Sequence, residues 1–509
     1  MSDGKQRRSG VILSYISIIV NTLIQLIFTP MLIRMLGHSE YGLYSLVASI
    51  IGYLTIMDLG FGNAIIVYTA KYRAQNKINA EKKLHGMFNR VFKILGIVAC
   101  IFGLMLFFNV EKIFGVNMTS IEISKMKIMM LILSFNLFLT FSYTIYSSII
   151  VAYEKFFFQK IISIIHSLLK PLLMIPLLFL GYKAITLSII ITIANIFTIL
   201  SNCIYCKKKL KISIKFLGFD RKTFKTILGY SIWIFLGIIV DKVNWSADNF
   251  ILGSVSGTIA VSIYSIAATL NQLFISLSTA ISGVMLPKIS KLIAKNALKS
   301  ELTNEMIKVG RLQNYVIFLM CSGLVLFGKQ FIIIWAGKQF VESYYVALLL
   351  IIPVCIPLIQ NLGLSIMQAM NMFRFKSIST LIMSIVNIII SIFFAKKWGA
   401  VGASLGTCIS LIICNIIIIN IYYYRKIKLD IFKFWKSIFK QSIPFGIPII
   451  LILIIFYVTR LDGFVSLIIY GGIYTIIYCI VSYYLSMNEY EKNIINKLLI
   501  KLHLKKVKS

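Results

Sequence analysis

Residues 184–225 read AITLSIIITIANIFTILSNCIYCKKKLKISIKFLGFDRKTFK, and the two halves obey opposite rules. Residues 184–205 carry no charged side chain, while residues 206–225 hold eight Lys or Arg and a single Asp. About 20 apolar residues in helical geometry span the hydrocarbon of a bilayer. The first half is therefore a membrane-crossing helix, and the second is the polar segment at which it leaves the membrane.

The same alternation governs all 509 residues, of which 59% are hydrophobic and 14% charged. Soluble domains carry about 25% charged residues, so a water-soluble enzyme is excluded. Apolar runs of helical length are placed at 11–34, 43–66, 91–110, 126–151, 161–180, 184–205 and 226–250. A second set lies at 258–287, 310–333, 343–369, 375–395, 400–424, 441–459 and 464–486. Runs this long lack the short alternation of barrel strands, and the predicted class is an all-α integral membrane protein with 14 transmembrane helices.

Charge tests that number. The net charge is +35, with 52 Lys and Arg against 17 Asp and Glu. With the N-terminus in the cytoplasm, 40 of the 52 basic residues fall on cytoplasmic segments or the adjoining span ends, as the positive-inside rule demands. Both termini are then cytoplasmic. The basic excess reads as orientation and contact with membrane lipids rather than nucleic-acid binding. The basic N-terminus runs into a span longer than the apolar core of a signal peptide, so an uncleaved first helix is expected.

The chain also repeats. Leu36-Gly37 recurs as Leu252-Gly253, and Ala184-Ile185 with Ser188 recurs as Ala400-Val401 with Ser404, both 216 residues later. Ala152 and Phe156 recur as Ala369 and Phe373, 217 residues on. The expected organisation is an N-terminal lobe (1–205, spans 1–6), a basic cytoplasmic linker (206–225), a C-terminal lobe (226–424, spans 7–12), and two further spans with a basic tail (425–509). Parallel repeats of this kind form one transporter architecture, with the substrate path between the halves.

A charge at membrane depth costs about 2.5–3.5 kcal/mol on insertion scales, so such residues mark pathways or paired structural sites. Lys170, in HSLLKPLLMIP, lies midway along span five, too deep to reach the interface by snorkelling. His166 stands one helical turn before it, as a packed residue or a proton relay. In span seven, Asp241, Trp245 and Asp248 recur on one helical face, and Lys242 lies on the neighbouring stripe. Two readings stand there: an amphipathic helix bordering water, or an outer loop beginning after Val240. The repeat sets Asp241 opposite Gln25 of span one. Asp58 and Arg34 either pair with each other or each line the path. The substrate-path candidates are thus Lys170, Arg34, Lys242, Asp58, Gln25, Trp245 and Asp248.

No catalytic residue is singled out. There is no Walker A sequence, no HExxH, and no sizeable outer loop rich in carboxylates or His. The eight cysteines are scattered through apolar runs, and the lone pair Cys203 and Cys206 lacks the partners of a zinc site. Neither a metal site nor a cofactor is expected. A transporter is the reading that remains.

Residues 36–72, LGHSEYGLYSLVASIIGYLTIMDLGFGNAIIVYTAKY, with Pro30 and Arg34 before them, carry a family resemblance. The bearing residues are Leu36-Gly37, Tyr41-Gly42, Asp58-Leu59-Gly60 and Gly62, supported by AVGASLGT at 400–407. The chain resembles the bacterial polysaccharide (Wzx-type, O-antigen) flippases of the multidrug/oligosaccharidyl-lipid/polysaccharide exporter superfamily. The resemblance implies a two-lobed, MATE-like, alternating-access carrier in the bacterial cytoplasmic membrane. Its substrate would be an undecaprenyl-pyrophosphate-linked oligosaccharide repeat unit, moved to the outer leaflet for surface polysaccharide synthesis, with a polymerase and other assembly proteins as partners. Cations such as Lys170, Arg34 and Lys242 would accompany the diphosphate. Superfamily relatives couple to cations, which implies H+ or Na+ coupling through Asp241, Asn387 and Thr407. Two rivals stay open: a cation-coupled multidrug exporter of the same fold, and a non-transporting scaffold for polymer synthesis.

Overall fold

The structure, a computed structural model, describes residues 3–282, 289, 292–293, 298–370, 372–458, 463–493 and 496. The side chains of residues 3–15 and of most positions in 230–246 also lie outside the description. Every regular element among the described residues is helical. In chain order these are α1 (Asp3–Leu54), α2 (Phe61–Ala74), α3 (Ile78–Phe114), α4 (Ser120–Ala152), α5 (Phe156–Phe179), α6 (Ala184–Ile204), α7 (Arg221–Val255) and α8 (Gly257–Ser282). They continue with α9 (Lys299–Trp335), α10 (Glu342–Ile359), α11 (Leu362–Ala369), α12 (Phe373–Leu411), α13 (Ile431–Ser442), α14 (Gly446–Val458) and α15 (Gly463–Val481). Beyond α12, wider helical turns carry the chain on to Ile427.

Eleven helices among the described residues are long and apolar enough to cross a membrane. Two of them contain a break and so make two passes each: α1 at Gly37 (φ 79, ψ 179) and α12 at Trp398–Gly399 (Gly399 φ 53, ψ −130). With α7 added, the passes among the described residues match the expected fourteen. The turns that end passes one, five, seven and eleven contain Gly37, Gly181, Gly257 and Gly399, all at positive φ, where L side chains are strained. Gly257 and Gly399 follow Gly37 and Gly181 at close to the offset of the sequence matches.

Contacts gather the chain into two compact units. Residues 1–265 with 390–403 form the first, and residues 266–389 with 404–509 form the second. In the first, Phe61, Phe88, Phe92, Ile145 and Ile149 build a buried core against which Phe224 of α7 packs. The basic segment before α7 is held on the unit's surface. Ile212 and Ile214 join that core, Arg90 stacks on Phe216 at 3.4 Å, and a Cβ on Gly86 would lie 2.1 Å from the Lys215 carbonyl oxygen. Asp220 then caps α7, accepting from the N–H groups of Lys222 and Thr223. The Thr223 contacts hold its carboxyl below the usual carboxylate range.

In the second unit, Tyr315, Phe327, Phe445, Ile452, Tyr474 and Tyr478 form an aromatic core joining α9, α14 and α15. Arg311 clamps Glu491 with two bonds of 2.6 and 2.9 Å, and its Nη2 also donates to the Ser486 carbonyl. One segment departs from the sequence reading. Residues 425–440, expected as a basic loop, contain the amphipathic helix α13, started by Asp430 accepting from the Lys433 N–H.

Candidate functional site

Lys170 lies within α5, followed at once by Pro171, with Pro176 further on. Each proline removes a backbone donor and bends the helix. The side chain is half-buried, and no carboxylate among the described residues pairs with it. His166, also half-buried, stands one turn away. α5 packs along α1, the helix that carries Gln25 and Arg34. Gln25 is half-buried and Arg34 exposed, three residues before the Gly37 break. A cation, an amide and a second cation thus occupy two packed helices of the first unit.

Asp58 has a different setting from the one expected. Span two is not continuous. A tight turn over Thr55–Asp58 is followed by Leu59 (φ 52) and Gly60 (φ 73), both left-handed, before α2 begins. The Asp58 carboxylate lies over the first turn of α2, in hydrogen-bond reach of the Gly62 N–H. Its Oδ2 stands 3.6 Å from where a Gly62 Cβ would sit. Negative charge there complements the helix dipole. Of the two alternatives for Asp58 and Arg34, the ion pair is not formed among the described residues.

Span seven resolves in favour of a helix, because DKVNWSADN continues α7 unbroken to Val255 rather than forming an outer loop. The side chains of Asp241, Lys242 and Trp245 lie outside the described residues. Asp248 is 1% exposed and accepts a 2.5 Å bond from the Tyr264 hydroxyl. Next to it, Asn249 donates to Ser49 Oγ at 2.8 Å and accepts from Ser265 Oγ at 3.2 Å. This is a buried polar seam joining α1, α7 and α8, not an open wall. Of the cation-coupling candidates, Asn387 and Thr407 are brought together: the Thr407 hydroxyl donates to Asn387 Oδ1 at 3.3 Å, both side chains being buried. Ser391, one turn on, donates to the Ala403 carbonyl at 3.1 Å.

Sequence reasoning missed a cluster at the end of the first unit where α1 breaks. Buried Glu40 pairs with Lys125 and accepts from the Ala184 N–H. Glu122 closes a capping box with Thr119 and also accepts from Ser39 and Thr258, at 2.5 and 2.7 Å. Asn117 donates to the Ser254 carbonyl at 2.7 Å. Helices α1, α4, α6, α7 and α8 are thereby tied at one end. The Thr119-x-x-Glu122 spacing is a capping-box signature and was the one legible signal. The tertiary partners of Glu40 and Glu122 had none.

Among the described residues no group of three or more His, Cys, Asp or Glu is placed to hold a metal.

The family model for polysaccharide biosynthesis proteins matches residues 8–293. Two proteins assigned as O-antigen transporters are similar over most of their length. One, from Shigella flexneri, is 23% identical over 404 residues, 77% of this chain and 92% of that protein. Another, from Salmonella typhimurium LT2, is 24% identical over 411 residues, 78% of this chain and 91% of that protein. Among solved structures, the lipid II flippase MurJ in an inward closed conformation superposes with a TM-score of 0.69 at 19% identity, covering 93% of this chain and 98% of that one. An inward-facing MATE-family multidrug resistance transporter gives 0.59 at 15% identity, covering 79% and 96%. The fold shared with these structures is the multi-pass helical fold of membrane transporters.

Proposed function

Because this chain belongs to the polysaccharide biosynthesis protein family, as a Wzx-type member of the multidrug/oligosaccharidyl-lipid/polysaccharide exporter superfamily and a membrane transporter rather than an enzyme, we propose that it is a flippase for a lipid-linked oligosaccharide. The substrate of this reading is an undecaprenyl-pyrophosphate-linked repeat unit. It is turned from the inner to the outer leaflet of the bacterial cytoplasmic membrane by alternating access, both termini being cytoplasmic. The observation that carries it, beside the family, is Lys170. A cation at mid-membrane depth without a carboxylate partner among the described residues is costly, and an anionic headgroup passing it offsets that cost.

Several residues have roles in this reading. Lys170 and Arg34, with Lys242, accompany the diphosphate, which cannot cross hydrocarbon unpaired. Gln25 and Trp245 meet the sugar, while the lipid tail stays in the bilayer. Asp58 and Asp248 act through structure, one at the start of α2 and one in the seam between α7 and α8. Coupling to H+ or Na+ is assigned to Asp241 in the first unit and, separately, to the Asn387–Thr407 pair in the second, and the polymerase receives the flipped product.

Deleting the gene and identifying the accumulated lipid-linked sugar tests the proposal. Build-up of an undecaprenyl-linked repeat unit in the inner leaflet, relieved by the wild-type chain, is the expected result. Unchanged surface polymer overturns it. Resistance to cationic dyes conferred by expression would instead favour a multidrug exporter. Flipping in proteoliposomes that ignores both proton and sodium gradients removes the coupling assignment.

A further inference from the structure

The second unit contains a groove of about 800 Å³ between α10, the helical turns leading to Ile427, and α13. Its walls are apolar, with Ile421, Phe432 and Phe439 prominent, and its charged lining is Arg425 and Lys436. All of it belongs to one compact unit.

Helix α13 explains why the groove stays open. Ile431, Phe434 and Ile438 are buried against the protein. A second apolar stripe, Phe432, Trp435 and Phe439, lies on another face, and Phe432 and Phe439 remain 74% and 69% exposed. A short amphipathic helix with aromatic residues on one side and lysines on the other lies in the interface of a membrane. Here it follows directly on a membrane-crossing helix that ends at Ile427. Charge is one-sided. Arg425 and Lys436 line the groove, residues 425–440 also carry Lys426, Lys428, Lys433 and Lys440, and the single acid in the segment, Asp430, is engaged in capping α13. No ion pair to Arg425 or Lys436 exists among the described residues.

We propose that this groove binds one diacyl anionic phospholipid. The phosphate sits between Arg425 and Lys436, and an acyl chain lies along Ile421, Phe432 and Phe439. Apolar walls ending in two cations match a lipid that is apolar along its tail and anionic at its head, and basic pockets beside transmembrane helices bind such headgroups. A guanidinium suits the phosphate because it can donate two parallel hydrogen bonds. The bound lipid ties α13 to the end of the preceding span. The inference rests on membrane residence and holds whatever the transported substrate is.

Native mass spectrometry of the full-length protein, delipidated in detergent, tests it. Phosphatidylglycerol and phosphatidylethanolamine of the same acyl composition are titrated onto wild type, the Arg425→Ala/Lys436→Ala pair, and a Lys207→Ala/Lys208→Ala control. The expected result is a saturable first phosphatidylglycerol adduct favoured over phosphatidylethanolamine by about tenfold or more, the scale two cations supply. The groove variant loses that preference and the control keeps it. Equal uptake of the two lipids, or equal losses in both variants, overturns the proposal. So does displacement of phosphatidylglycerol by stoichiometric undecaprenyl diphosphate, which would make the groove a substrate site. If the double Ala variant does not fold, Lys436→Glu replaces it, with the same loss expected. Thermal unfolding is the second readout: phosphatidylglycerol raises the Tm of wild type but not of a folded groove variant, and a rise in both overturns the proposal.

Discussion

A Cβ placed on Gly42 would stand 1.9 Å from the carbonyl oxygen of Thr258, so α1 and the start of α8 touch backbone to backbone. On the α7 side of the same unit, a Cβ on Gly253 would stand 2.6 Å from Leu46. These contacts give the Tyr41-Gly42 element a packing reason: the helices approach where only a hydrogen fits.

Gly42→Leu should therefore lower stability by about 1–3 kcal/mol or more, the range for overpacking a filled interior. Gly323→Ala, in α9 with nothing within 4 Å of its added Cβ, should be neutral or slightly stabilising. Thermal melting of both variants in one detergent checks the contrast. Equal melting temperatures would mean that α1 and α8 separate freely.

Lys170→Ala should reduce polymer export by about tenfold or more at unchanged protein level, on the cost scale of a charge at membrane depth. Lys170→Arg should retain most of it. The readout is surface polysaccharide in a deletion strain complemented with each variant. Full export by Lys170→Ala would remove the residue from the path.

Glu40 is 10% exposed and Lys125 30% exposed as side chains, and Glu40 also receives the Ala184 N–H. The partly exposed pair should itself contribute only about 1 kcal/mol. Glu40→Ala should cost more than Lys125→Ala, because it also orphans the Ala184 donor at the start of α6. A double-mutant cycle of melting free energies should show coupling of about 0.5–1 kcal/mol. Strict additivity would mean that the pair is not formed in the membrane.

Arg311 and Glu491 are 12% and 2% exposed as side chains. Removing one partner of a buried pair costs about 3–5 kcal/mol. Arg311→Ala should approach that loss, and Arg311→Lys should recover part of it by keeping the charge while giving up the two-pronged geometry. Melting temperatures of the two variants provide the check. A neutral Arg311→Ala would show that the segment around Glu491 is not held by this pair.

Much of the fold was legible before any coordinates, for a reason specific to membranes. Hydrocarbon tolerates neither unpaired backbone nor unpaired charge, so apolar run length and cation placement record each crossing. That is why spans four to six appear close to their expected limits, whereas α3 begins at Ile78, well before the expected start of span three. It is also why the continuous reading of span two failed at Leu59 and Gly60: hydropathy measures apolarity, not backbone dihedrals, and a glycine-rich turn can be as apolar as a helix. α13 was missed for the complementary reason. Its lysines mark it as a loop by charge alone, while its apolar stripes appear only when the residues are set at 100° intervals.

Sequence by itself determined that this chain is a multi-pass helical membrane protein with a cation midway along one span, since both facts are written in composition or spacing along the chain. Only tertiary structure decided which polar residues have partners. Asp248 meets Tyr264, Glu40 meets Lys125, Asn387 meets Thr407, and Lys170 meets no carboxylate among the described residues. The physical reason is that pairing depends on which helix faces turn toward each other. That choice is made by close contacts such as Gly42 on Thr258, between residues more than two hundred positions apart, and no local pattern encodes it.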